Sequence, residues 1–300
     1  MFFLYNFPIP AYTSFRGGYM LSFTKMTGLG NDYIYIDCTK GVKLKNIPEF
    51  TKRVSDRHFG IGSDGLILID KSSDDNSDFK MRIFNSDGSE AEMCGNGIRC
   101  VAKFIHDNKL SDKDKIAIDT LAGIKKVKII EEDDGSCENV IVDMGEPIFQ
   151  DSNIPYDVYE PFNKDLDLDV NEEKMRFTVV SMGNPHAITF VDDVDNIEIE
   201  KVGPIVENNP MFPNKTNVEF VQIIDKNNIK VRVWERGVGE TYACGTGACA
   251  ATVAGGINGY TGENVTVKLP GGDLKVEWGK DNHIYMQGPA TKIFEGKIEE

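Results

Sequence analysis

The hydrophobic positions of this chain fall mostly into short, strand-like runs. Alternating or β-branched stretches recur at 33–36, 66–69, 79–84, 116–118, 124–130 and 140–142, so strands dominate the first half. One helical pattern interrupts them: Ile98, Val101, Ala102 and Ile105 form an i, i+3, i+4, i+7 stripe that predicts a helix ending near Asn108. The order then repeats. Strands are predicted at 178–180, 187–191, 218–224 and 229–234, followed by an alanine-rich helix (Ala248, Ala250, Ala251, Ala254) with a stop signal at Gly255 and Gly256. Two further strands, 265–269 and 274–278, flank Pro270-Gly271-Gly272-Asp273, which reads as a hairpin. Strand follows strand, so a parallel βαβ sheet is not expected.

The two halves share more than an order of elements. Arg82 to Gly97 and Arg232 to Gly247 each run from an apolar strand through a turn into Cys-Gly-x-Gly at the start of a helix, at an offset of 150 without a gap. Upstream, Gly30-Asn31-Asp32 and Gly183-Asn184-Pro185-His186 open matching strands at an offset of 153. The boundary is placed near Met144-Gly145-Glu146-Pro147, which gives one domain over 20–144 and a second over 145–287. Residues 1–19 precede Met20 and are set aside as an upstream start or a cloning remnant. The acidic stretch 165–173 resembles the opening of a calcium loop, but Val170 stands where that loop needs glycine, so a solvated surface loop is expected.

Composition narrows the function. A chain of 300 residues, 40% hydrophobic, suits two domains that each bury a core. Its net charge of −15 argues against nucleic-acid and anionic-membrane partners, which basic surfaces attract, and favours a small-molecule substrate. The six cysteines lack zinc-type spacing and are read as reduced, in a cytoplasmic protein. No apolar run is long enough to span a membrane.

The paired cysteines carry the chemistry. Unsatisfied N–H groups at a helix start stabilise a thiolate and bind a carboxylate, and Gly-x-Gly lets the backbone approach the ligand. If both helices point into one cavity, Cys94 and Cys244 flank the α-carbon of a bound carboxylate, one removing a proton while the other delivers one. Like charges in one small site repel, so the pair should share a proton. Neither a metal nor an organic cofactor is required. Either cysteine alone would be read as a small buried apolar residue. Two in register point to function, whereas Cys38, Cys100, Cys137 and Cys249 are read as core thiols. Gly28-Leu-Gly30 and Gly60-Ile-Gly62 precede strands and are not nucleotide fingerprints. His58, His106 and His283 have no evident partner.

These motifs resemble the diaminopimelate epimerase family. The likeness covers residues 20–300 and rests on Gly28-Leu-Gly-Asn-Asp32, the segment from Phe84 to Gly97, Gly183-Asn-Pro-His186, Thr216-Asn-Val218, Glu235-Arg236 and Ala243-Cys-Gly-Thr-Gly247. The resemblance implies an α/β fold of two pseudo-symmetric domains. Each is a curved, mostly antiparallel, barrel-like sheet around a central helix, with the active site between them and a tail (288–300) returning to the first domain. It implies a cofactor-independent epimerase that interconverts LL- and meso-2,6-diaminopimelate for lysine and peptidoglycan precursors, working as a homodimer. Cys94 and Cys244 are then the acid/base thiols. Gly95, Asn96, Gly245 and Thr246 hold the reacting carboxylate, while Asn31, Asn85, Asn184, Asn217, Glu235 and Arg236 bind the substrate. His186 and Glu235 tune the thiols. Gly65 departs from the glutamine that some members carry.

Three alternatives stand beside this reading. A proline or hydroxyproline racemase shares the architecture, but Arg236 and the asparagines suit a substrate with a second charged end. A nucleophilic or redox thiol enzyme needs a resolving cysteine or a histidine base and gives no reason for the duplication. A binding protein explains the cleft but not the thiols.

Overall fold

The computed structural model describes residues 12–15, 18–149, 166–171 and 173–300. The first series of elements is β1 (Tyr12–Phe15), β2 (Gly18–Gly28), β3 (Asn31–Asp37), α1 (Ile47–Ser55), β4 (Gly65–Lys71), β5 (Phe79–Asn85), β6 (Glu90–Ala91), α2 (Gly95–Asp107), β7 (Lys115–Thr120), β8 (Gly123–Glu131) and β9 (Cys137–Asp143). The second is β10 (Leu166–Val170), β11 (Glu173–Ser181), β12 (Pro185–Phe190), α3 (Ile199–Glu207), β13 (Asn217–Asp225), β14 (Asn228–Glu235), β15 (Gly239–Thr241), α4 (Gly245–Ile257), β16 (Asn264–Leu269), β17 (Gly272–Trp278), β18 (Ile284–Pro289) and β19 (Thr291–Glu299). From β2 to β9 and from β11 to β18 the two series match element for element.

Their pairings match as well. Antiparallel β2–β3, β4–β5, β7–β8 and β8–β9 recur as β11–β12, β13–β14, β16–β17 and β17–β18. Parallel β3–β4 and β5–β7 recur as β12–β13 and β14–β16. These parallel pairs correct the expectation that βαβ connections would be absent. Each is bridged by a crossover that carries one helix, because joining parallel strands takes a dozen or more residues.

Hydrophobic patterning disclosed α2 and α4 but not α1 and α3. The signal for α1 lay in its cap: Asn46 Oδ1 accepts from the Glu49 N–H at 3.4 Å, and Pro48 occupies the first turn. α1 covers an outer cluster containing Leu66, Leu68 and Phe84, and α3 covers its counterpart around Phe177, Val218 and Phe220. α2 and α4 lie on the other faces, in a core that runs without a break through both halves.

Two elements differ from expectation in extent. The described part of the acidic stretch is β10 and the start of β11, not a surface loop. Leu166, Leu168 and Val170 point inward while Asp167 and Asp169 face solvent, a period of two that the charge count obscured. α4 passes through Gly255 and Gly256 to Ile257, since both glycines sit where a side chain would meet Thr261 or Trp278, and the turn falls instead at Gly259, where φ is +74°.

Among the described residues neither half closes into a barrel. β9 pairs antiparallel with β18, its own counterpart, from Asp143↔Tyr285 to Asn139↔Pro289, so the two curved sheets become one. β19 then returns to β2, pairing from Thr291↔Thr27 to Glu299↔Met20. β1 pairs with β2 from the other side, so part of the segment set aside at the amino terminus joins the sheet.

Candidate active site

Both catalytic candidates sit at the same local structure. Cys94 is the N-cap of α2, with extended backbone (φ −140°, ψ 116°), and its Sγ accepts from the Gly97 N–H at 3.3 Å. Cys244 caps α4 in the same way (φ −114°, ψ 115°), accepting from the Gly247 N–H at 3.4 Å. The first-turn N–H groups of Gly95, Asn96, Gly245 and Thr246 have no intrahelical carbonyl to bond, so each helix offers donors beside its sulfur.

The two helix starts abut. A Cβ placed on Gly245 would lie 3.6 Å from the Cα of Gly95, and one placed on Gly95 would lie 3.7 Å from the Cα of Gly245. Glycine at both positions brings the two sets of donors together, with Met286 and Met144 packed beside them. The contact is stitched by Asn96, whose Nδ2 donates to the carbonyl of Ala243 at 3.0 Å. Arg99 reinforces it from below. Its fully buried guanidinium donates to the carbonyls of Gly95 (3.2 Å) and Pro289 (3.1 Å) and to Asn96 Oδ1 (2.8 Å).

The remaining candidates lie at strand ends that match between the halves, with Gly65, not itself a candidate, as the counterpart of Asn217. Asn31 opens β3 and Asn184 precedes β12; Asn85 ends β5 and Glu235 ends β14; Gly65 opens β4 and Asn217 opens β13. Asn31 turns its carbonyl to the Cys94 thiol (Sγ to Oδ1, 3.1 Å) because its Nδ2 donates to Asp64 Oδ2 at 2.8 Å. Asn184 is aimed the other way, its Nδ2 donating to Thr246 Oγ1 at 3.3 Å, and Thr246 Oγ1 lies 3.5 Å from Cys244 Sγ. Asn217 is buried and structural in its contacts, donating to the Pro185 carbonyl at 2.9 Å and accepting from the Arg236 N–H at 2.9 Å. The Arg236 guanidinium donates to the Asn214 carbonyl at 3.2 Å and is otherwise exposed. Asn85 faces solvent and bonds Ser89 Oγ at 3.1 Å.

His186 is fully buried, with Nε2 3.0 Å from Asn184 Oδ1 and Nδ1 2.7 Å from Glu219 Oε1. Sequence reasoning stopped at Thr216-Asn-Val218, one residue short of Glu219. The available signal was an acid inside the apolar run Val218-Glu-Phe-Val221. Arg99 and Asp64 were missed too: Arg99 lies beside the apolar stripe, where arginine is usually solvated, and Asp64 sits in a turn. His283, for which no partner was expected, pairs with Asp143 at 2.7 Å.

Electrostatics overturn one expectation. Burial pushes the Cys94 thiol up, Glu235 adds to the rise, and the N–H groups of Gly97 and Asn96 and the Arg99 charge only partly oppose it. Burial pushes Cys244 well above the usual thiol range, with the carboxylates of Glu235 and Glu219 adding to the rise against Thr246 and Gly247. Helix-end donation is present, as read from the sequence, but desolvation outweighs it. Glu235 acts on both sulfurs, and its own carboxyl is raised, chiefly by burial. All six cysteines are free thiols.

Comparison with known proteins follows the same outline. The sequence profile of the diaminopimelate epimerase family matches residues 23–150 and 178–293. A diaminopimelate epimerase from Methanococcus maripaludis is 57% identical over 280 residues, 93% of this chain and 100% of that protein. One from Acetivibrio thermocellus is 52% identical over 280 residues, 93% of this chain and 99% of the relative. Among solved structures, a phenazine biosynthesis protein of the PhzF family from Bacillus anthracis superposes with a TM-score of 0.67 at 18% identity, over 93% of this chain and 99% of that one. A probable proline racemase from Agrobacterium radiobacter gives 0.67 at 14% identity, over 92% of each chain. These two share the fold. With duplicated thiol-capped helices in a fold of this kind and sequence identity above one half along nearly its whole length, the chain belongs to the diaminopimelate epimerase family.

Proposed function

We propose that this chain interconverts LL- and meso-2,6-diaminopimelate, with Cys94 and Cys244 as the two acid/base groups. The observation that carries the reading is the abutment of two cysteine-capped helix starts, so close that a Cβ added to Gly95 would lie 3.7 Å from the Cα of Gly245. A carboxylate bound by the N–H groups at both starts has its α-carbon between the two sulfurs. One thiolate takes the α-proton, the opposite thiol supplies a proton to the other face, and the configuration inverts. The same donors stabilise the negative charge that builds on the carboxylate in the transition state.

The raised thiol pKa values bear on this step. A thiolate derived from a weakly acidic thiol is the stronger base, which suits the removal of a poorly acidic α-proton. Glu235 and His186 act as the tuning groups. Asn31, Asn85, Asn184, Asn217 and Arg236 take the substrate, with Arg236 suited to bidentate pairing with the distal carboxylate. Two protein thiols suffice for the proton traffic, so the reading calls for no metal or organic cofactor. The enzyme is read as a cytoplasmic homodimer that supplies lysine and peptidoglycan precursors, its two domains meeting near residue 144. Incubation with LL-diaminopimelate under reducing conditions is expected to yield the meso isomer, with no racemisation of L-proline. Turnover of proline without diaminopimelate turnover would replace this reading with the racemase one.

A further inference from the structure

The duplicated halves differ behind their cysteines. In the first half the residue packed on the opening turn of α2 is Ile67 of β4, whose Cδ1 would lie 2.8 Å from a Cβ on Gly97. In the second half the matching place on α4 belongs to Glu219 of β13, whose Oε1 would lie 2.7 Å from a Cβ on Gly247. Glu219 is completely buried, Oε1 meets His186 Nδ1, and Oε2 has no hydrogen-bond partner among the described residues. Such burial is costly and is not needed to fill space, since isoleucine does so in the other half.

The hydrogen bonds that lead from His186 Nε2 to Cys244 have a single direction. Asn184 spends its Nδ2 on Thr246 Oγ1 (3.3 Å), so its Oδ1 faces His186 Nε2 (3.0 Å), which must then carry a hydrogen. One more proton lies between Nδ1 and Glu219 Oε1, 2.7 Å apart, whichever of the two atoms holds it. Thr246 Oγ1 accepts from Asn184 and keeps its own hydrogen for Cys244 Sγ at 3.5 Å, to which it must donate once that sulfur is a thiolate. With Cys244 ionised, every bond from His186 Nε2 onward therefore donates towards its sulfur. On the Cys94 side the sense is opposite, with the thiol donating to Asn31.

We propose that Glu219 is a positioning residue for this epimerisation: it keeps the hydrogen on His186 Nε2 and so turns Asn184 and Thr246 into donors aimed at Cys244. The inference rests on the function proposed above. Without a partner on Nδ1, a neutral imidazole can move its hydrogen to that nitrogen, and the direction of the series is lost.

Glu219→Ile copies the residue of the other half and removes the partner. Its kcat is expected to fall between about tenfold and a hundredfold, as for a misplaced catalytic contact. KM should change less than kcat, because Asn31, Asn85, Asn217, Arg236 and the helix-start N–H groups are left as they were. Glu219→Gln is the rescue: its amide can donate to Nδ1 and preserve the Nε2 hydrogen, so most of kcat should return. Nitrogen-15 NMR of the four histidines reads the same point without substrate. His186 should be protonated at Nε2 in the native protein and in Glu219→Gln, and lose that signature in Glu219→Ile. An unchanged kcat in Glu219→Ile, or equal losses in both variants, would overturn the proposal. If Glu219→Ile does not fold, a native spectrum with His186 unprotonated at Nε2 overturns it equally well. Should the native protein leave LL-diaminopimelate untouched, the functional reading fails while the NMR result still decides what Glu219 does.

Discussion

At the scale of single residues the site is a symmetric pair of sulfurs in unlike surroundings. Cys94→Ser and Cys244→Ser are each expected to abolish net inversion while the circular dichroism spectrum and denaturation midpoint stay close to native; full activity in either would mean that the wrong thiols were chosen. Burial raises both pKa values, so alkylation by iodoacetamide should remain slow at neutral pH and accelerate only above the ordinary thiol value of about 8.5. Cys244 should need the higher pH, because Glu219 adds to its rise while Glu235 acts on both sulfurs. The cysteines themselves were legible in the sequence, since a repeat without a gap marks equivalent positions along the chain. Their protonation was not. Desolvation depends on what packs around a sulfur, and the abutment of α2 and α4 joins residues 150 positions apart.

At the scale of elements, α2 depends on its buried stripe. Ile98, Val101, Ala102 and Ile105 are all inaccessible to solvent. Ile105→Ala should cost about 2–5 kcal/mol, read as a lower denaturant midpoint, with catalysis retained where the protein stays folded. Strands and α2 could be read from the chain because each buries one face or stripe and keeps the matching period, whereas α4, buried at nearly every position, showed itself through its run of alanines. α1 and α3 could not be read in this way: each runs for only nine residues and covers a satellite cluster. The parallel pairs escaped for a related reason, since they exist only because those helices bridge them. Glu219 was hidden because period and propensity report which side of a strand is buried, not that a charge has been placed there.

At the scale of the whole molecule, one core and one seam join the halves. Both tryptophans, Trp234 and Trp278, lie in the second half. Their fluorescence and hydrogen exchange in β3 to β5 should nevertheless report a single unfolding transition, because the core is continuous and β9 pairs with β18. Separated transitions would mean that the halves are independent. Alkali should weaken the fold. In the folded chain burial holds Cys100 and Cys137 at about 11 and Cys38 and Cys249 at about 12. The unfolded chain releases these protons near pH 8.5, so the unfolded state binds fewer protons above that point. Stability is therefore full below about pH 8.5 and declines as pH rises towards the folded values, and denaturant midpoints at neutral and alkaline pH check the sign.

The central claim is that two thiols act from opposite faces of one carbon, and deuterium tests it most directly. LL-diaminopimelate is incubated in deuterated water under reducing conditions, and the α-position is followed by proton NMR before equilibrium. The account predicts deuterium in the meso product ahead of any in the remaining LL substrate, because the thiol that delivers a proton carries one from solvent while the opposite sulfur returns the one it removed. Equal early labelling of substrate and product, as a single base would give, or exchange without inversion, would contradict it.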